Sequence, residues 1–157
     1  MTRFRLLPFV ACALLAACDP PTTISTLPTE FATVPTVVQV NGRELALEAH
    51  LWRDFMPIAP PDGQPLVAVL YVKTTDGSPF PAGVTADQVT VVYGEERWTA
   101  AARQENPIWR QDILEAVARN GPKWGPHVDV DVVVRLRGPG DQVHLLRAPN
   151  QRIGRTD

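Results

Sequence analysis

Glu44-Leu45-Ala46-Leu47-Glu48-Ala49-His50-Leu51-Trp52-Arg53-Asp54-Phe55 alternates in polarity with a period of two. Leu45, Leu47, Ala49 and Leu51 fall on one face, and Ala46, Glu48, His50 and Trp52 on the other. Successive side chains of an extended chain point to opposite faces, so alternation of this length predicts a strand with one buried face. Ahead of it lies Val37-Val38-Gln39-Val40, joined through Asn41-Gly42, a dipeptide suited to the positive φ of a tight hairpin turn. Behind it Pro57, Pro60, Pro61, Asp62-Gly63 and Pro65 predict a loop, because proline has no amide to give to a sheet.

The strand pattern continues outward from this hairpin. Leu66 to Thr74 is rich in β-branched and aromatic residues with apolar side chains on both faces, which predicts a central strand. Asp76-Gly77-Ser78-Pro79 turns the chain, Gln88 to Gly94 forms a fourth strand, and Glu95-Glu96 is expected to turn it into Arg97-Trp98-Thr99-Ala100. Residues 101–112 are polar and irregular. Ile113 to Arg119 carries helix formers, and Trp109, Ile113 and Val117 have helical spacing; the all-β surroundings favour a strand, which is the reading adopted. Asn120 to Pro126 forms a rigid loop, and His127 to Arg137 a strand. With Gly138-Pro139-Gly140-Asp141 as the turn into Gln142–Ala148, the expected register sets Leu136 against Val143, Val134 against Leu145 and Arg135 against His144. Pro149 to Asp157 is expected to be a short polar tail.

Six to eight short strands in about 120 residues predict an all-β domain over residues 37–157. Its architecture resembles a single two-sheet β-sandwich of immunoglobulin or fibronectin type III kind. No Cys…Trp…Cys signature is present, so the resemblance carries no functional residues.

The amino terminus has a different character. Arg3 and Arg5 precede an uncharged apolar run from Leu6 to Ala17, which stops at Leu15-Ala16-Ala17-Cys18. At 12 residues, with Pro8 inside it, the run is short of the ~20 that span a bilayer. The stretch over residues 1–19 resembles a bacterial lipoprotein signal peptide with its lipobox. That resemblance implies removal of residues 1–17, a diacylglycerol thioether on Cys18, and residence in the cell envelope on the periplasmic or extracellular side. It also makes the membrane a partner through the lipid on Cys18. Residues 18–36, with four prolines and six threonines from Asp19 on, are expected to be an extended tether. At about 3.1 Å per residue its reach is on the order of 50 Å.

Such processing changes the composition. Cys12 leaves with the signal and Cys18 is consumed by lipid, so the mature domain has no thiol and must rest on its core rather than on disulfides. Loss of Arg3 and Arg5 leaves 13 Lys+Arg against 17 Asp+Glu, a formal charge of −4. With only Lys73 and Lys123 as lysines, nothing in the charge pattern suggests nucleic acid.

A catalytic constellation is not evident. Ser25 and Ser78 are the only serines, neither in a Gly-x-Ser-x-Gly setting, and no glycine loop suited to phosphate follows a strand. His50, His127, His144, Asp129 and Asp131 are the candidate metal ligands; along the expected hairpin His144 lies some eight residues from His127, about 26 Å at 3.3 Å per residue. The paired Glu95-Glu96 has no environment to separate the two acidities. No enzyme, metal or cofactor is therefore expected. Trp52, Trp109 and Trp124 are the candidate binding surface, since indoles make large contacts with proteins and sugars, while Trp98 is expected in the core. These features favour a non-catalytic interaction module whose partner is another envelope protein or polymer. A carbohydrate or cell-wall binding module using the tryptophans is the alternative.

The lipobox reading makes a direct prediction. Cys18→Ser abolishes lipid labelling and leaves an unprocessed precursor, whereas Cys12→Ser changes neither. Unaltered processing and membrane attachment of the Cys18 variant would contradict it.

Overall fold

The computed structural model describes residues 29–105 and 110–157. The expected signal peptide, Cys18 and the first part of the tether lie outside the described residues, as does Trp109. The elements are α1 (Thr29–Ala32), β1 (Val37–Val40), β2 (Arg43–Asp54), β3 (Leu66–Thr74), β4 (Thr85–Tyr93), β5 (Glu96–Ala101), β6 (Ile113–Gly121), β7 (Asp129–Arg137) and β8 (Val143–Thr156). A single 3₁₀ turn covers Pro139–Asp141.

The expected all-β class holds. The strands run in the order β5-β4-β7-β8-β2-β3-β6, with β1 added to β2. This path curls into a half-barrel, and its two ends meet at one bridge. There the Arg103 amide donates to the Val117 carbonyl at 3.0 Å and the Val117 amide to the Arg103 carbonyl at 2.8 Å. The inward side chains of both halves form one core, including Leu45, Leu51, Leu70 and Val72 from β2 and β3, and Val89, Val91, Val134 and Leu146 from β4, β7 and β8. Trp98 packs against it, and its ring stands where a side chain on Gly121 would have to go.

The β2 alternation is realised: Leu45, Ala49 and Leu51 are buried, and Glu48 and His50 exposed. Asn41 and Gly42 have φ of 50° and 74°, as the tight turn requires. Ile113–Gly121 is a strand, pairing with β3 so that Leu114, Ala116 and Ala118 enter the core. Its local helix propensity is overridden by the apolar face it can bury beside β3.

Four expectations are corrected. The β4–β5 turn is Gly94-Glu95, with Glu96 the first residue of β5, because Gly94 takes the left-handed backbone, φ 59°. The β7–β8 register is shifted by one: Leu136 faces His144, Arg135 faces Leu145 and Val134 faces Leu146. The connection holds five residues, closed by the Gly138 amide on the Gln142 carbonyl at 2.8 Å. Residues 149–157 are no free tail, since β8 continues to Thr156. A bulge at Pro149-Asn150, where the Asn150 amide is held by Asp131 Oδ1 at 3.1 Å, redirects the strand. Leu51, Trp52, Arg53 and Asp54 then pair in parallel with Ile153, Gly154, Arg155 and Thr156. Lastly, the described end of the tether is not extended and solvated. After the α1 turn, Val34 is buried, and the Pro35 carbonyl accepts the Arg147 amide at 2.9 Å.

In the strand order β8 stands between β5-β4-β7 and β2-β3-β6, and Ile153, fully buried, is the apolar residue that seats its second half. Ile153→Ala should lower stability by about 2–5 kcal/mol, the range for truncating a buried aliphatic side chain. Urea unfolding checks this, and a loss below about 1 kcal/mol would contradict it.

Candidate functional site

Three connections gather at one end of the half-barrel: the proline loop after β2, the Gly94-Glu95 turn, and the loop of residues 122–127. What joins the first to the third is Arg53. It follows Leu51 in the inward phase of β2, and only 3% of it is exposed. Its Nε donates to the Gln64 carbonyl at 2.9 Å, and its Nη1 to the carbonyls of Lys123 at 3.0 Å and Gly125 at 2.8 Å. Its Nη2 donates to the Asp62 carbonyl. The buried charge is thus met by four carbonyl dipoles, and the planar fork of guanidinium donors suits this as an ammonium would not.

The surroundings tighten the same junction. The Phe55 ring lies 5.0 Å from the Arg53 guanidinium and 4.0 Å from that of Arg155. Gly63, with φ +75°, approaches Phe55 so closely that a Cβ there would lie 2.6 Å from ring carbons. Above the guanidinium, Lys123 Nζ bonds Asp62 Oδ2 at 2.6 Å, linking the two loops again at the surface. This hydrogen bond from Lys123 holds the Asp62 carboxyl below its ordinary acidity range.

Trp124 lies in the second of these loops. Its indole Nε1 donates to Glu96 Oε2 at 3.0 Å, and its ring lies 5.8 Å from that of Tyr93 in a tilted pair. One side of Trp124 packs on the core, so the residue is half-buried and oriented rather than free. Tyr93 itself is 36% exposed, and on the β2–β3 loop Ile58 and Met56 are exposed apolar side chains at 97% and 48%. The end of the barrel therefore offers aliphatic and aromatic contacts on loops fixed from beneath.

Trp52 belongs to a different surface. It is half-buried on the outward phase of β2, with His50 and Glu48. On that face His50 meets Tyr71 edge to face at 5.3 Å. Glu48 receives Lys73 Nζ at 2.6 Å and pairs with His50 Nε2 at 2.9 Å. The Lys73 and His50 hydrogen bonds lower the Glu48 pKa to about 2. Of the three candidate tryptophans, Trp52 thus lies on the outward face of β2 and Trp124 in the loop of residues 122–127, packed partly on the core, while Trp109 lies outside the described residues.

The histidines remain apart. His127 is exposed beside the Trp124 loop, while His144 turns toward the core at the far end, opposite Leu136, not beside Arg135. Among the described residues no group of three or more His, Cys, Asp or Glu side chains could hold a metal ion. Also among these residues, no helix is long and apolar enough to cross a membrane.

Sequence reasoning singled out Trp124 but missed Arg53, Tyr93 and Ile58. The signal for Arg53 was available: a charged residue in phase with Leu45 to Leu51, followed at once by a proline loop. A scan of known protein families found no matching family model, and comparisons with curated proteins and solved structures found no match to this chain.

Arg53→Met keeps an unbranched apolar stem, shorter than that of arginine, and removes the donors. It takes the donors from the carbonyls of Asp62, Gln64, Lys123 and Gly125, and at about 1–3 kcal/mol for each buried acceptor left unsatisfied it should cost about 3 kcal/mol or more. Urea unfolding of the variant reads this directly; a change below about 1 kcal/mol would show that the loops do not depend on it.

Proposed function

We propose that this chain is a lipid-anchored cell-envelope protein whose β domain is a non-catalytic interaction module, and that it binds through the loop end built over Arg53. The observation that carries the proposal is the combination there of preorganised loops with exposed Ile58 and Met56 on one and, on the other connections, Tyr93 beside an oriented Trp124. Fixing the loops before binding removes part of the ordering entropy of association. Aromatic side chains in partly desolvated settings are those that contribute most at protein interfaces. The anchor rests on the lipobox of residues 1–19. The finer fold reading is an immunoglobulin-like sandwich, supported by two halves of one curled sheet that enclose a common core.

A second reading has its own observation. Trp52, His50 and Tyr71 share one outward face with the Glu48–Lys73 pair, an arrangement of rings and hydrogen-bonding groups suited to a carbohydrate or wall polymer.

Photo-cross-linking in cells separates the two, with the intact chain carrying the probe at Ile58 in one strain and at Trp52 in another. The proposal expects one recurring protein from Ile58 and little from Trp52. Glycan adducts from Trp52 with nothing from Ile58 would move the assignment to the second reading.

A further inference from the structure

The segment that leads into β1 lies on the half-barrel without belonging to its core. Residues 29–36 cross the outer face of β5-β4-β7-β8, whose middle row of outward side chains is Thr99, Thr90, Val133 and Arg147. Glu30 and Phe31 line one groove of about 430 Å³ together with Thr99, Thr90 and Val133. Val133 is only 3% exposed, although it points away from the core that Val132 and Val134 enter.

Among the described residues three polar contacts hold the segment to the strands. Glu30 pairs with Arg97 Nη1 at 2.5 Å, the Arg147 amide donates to the Pro35 carbonyl at 2.9 Å, and Arg147 Nη1 donates to the Phe31 carbonyl at 3.4 Å. Val34 is buried and Phe31 half-buried, neither within the core cluster, and the other side chains of the segment are exposed. An ion pair between exposed side chains contributes little. One turn of helix has no stability of its own. In the docked arrangement Arg147 Nε is buried with no acceptor among the described residues, a cost that access to water removes. Release therefore gives up one buried valine, hydrates a guanidinium, and takes nothing from the core.

We infer that residues 29–36 form a strap that leaves the outer face as a unit while the half-barrel stays folded, with Arg147 as its catch. Docked, the strap covers part of the face and takes up chain. Released, it uncovers Arg147, Val133 and Thr90 and frees up to about 25 Å of extended chain ahead of β1, at about 3.1 Å per residue. The device controls both access to that face and the distance at which the domain stands from the chain before it.

The Arg147 amide reports the state of the catch. It points away from β7 to the strap, whereas the Leu146 amide points into the β7 ladder. In amide exchange of the full chain, Arg147 should exchange on the order of a hundredfold faster than Leu146 and without dependence on urea, because a local opening exposes little surface. Val34→Asp should abolish the remaining protection of Arg147 and leave the urea midpoint of the domain unchanged. Arg147→Gln keeps the amide and loses the guanidinium; it should speed exchange of the Val34 amide, which is bonded within the strap to the Phe31 carbonyl at 3.1 Å. An Arg147 amide as protected as Leu146, with the same urea dependence, would overturn the inference. So would a Val34→Asp chain whose midpoint falls, since the segment would then unfold with the domain, and unchanged exchange at Val34 in Arg147→Gln would remove Arg147 as the catch.

Discussion

A guanidinium buried at the end of β2 holds the two long connections of the loop end together. Arg53 sits where the inward phase of the strand would place another leucine, and a charge there must be compensated or expelled. Its compensation comes from main-chain carbonyls of Asp62, Gln64, Lys123 and Gly125, so the loops that supply them cannot move independently. No titratable partner takes part in that cage. The shape of the loop end is consequently tied to the core, with the Lys123–Asp62 pair as a second link at the surface.

The position of Arg53 depends in turn on β8. Arg53 is paired in parallel with Arg155, and this pairing exists because β8 runs on past the Pro149-Asn150 bulge, with β7 on one edge up to Arg152 and β2 on the other from Ile153. One long strand thereby closes the core and lines up Phe55, Arg53 and Arg155. Fold and candidate site are two consequences of one crossing.

Legibility in the sequence followed the range of the forces involved. The β2 alternation, the Asn41-Gly42 turn and the bounds of Leu66–Thr74 are local and could be read directly. The second half of β8 could not, because between Pro149 and Asp157 only Ile153 marks a core position, and the strand is held by backbone pairing to residues about a hundred positions away. The hairpin register failed on a single residue: Gln142 belongs to the turn, and each pair after it shifts with it. At the site, Trp124 was visible as a residue type, but its partners Glu96 and Tyr93 come from another hairpin. Docking of the tether end hinges on Val34 and on carbonyl contacts, for which a proline- and threonine-rich segment gives no pattern.

Amide hydrogen exchange of the intact chain, compared in native envelope vesicles and after purification in detergent, tests the central claim most directly. The account predicts that the vesicles add protection at the free amides of residues 56–64, at Gly94 and Glu95, and at residues 123–125, with the turn at 138–141 unchanged. Protection gained at that far turn, or on neither end, would contradict the assignment of the loop end over Arg53 as the surface this protein uses.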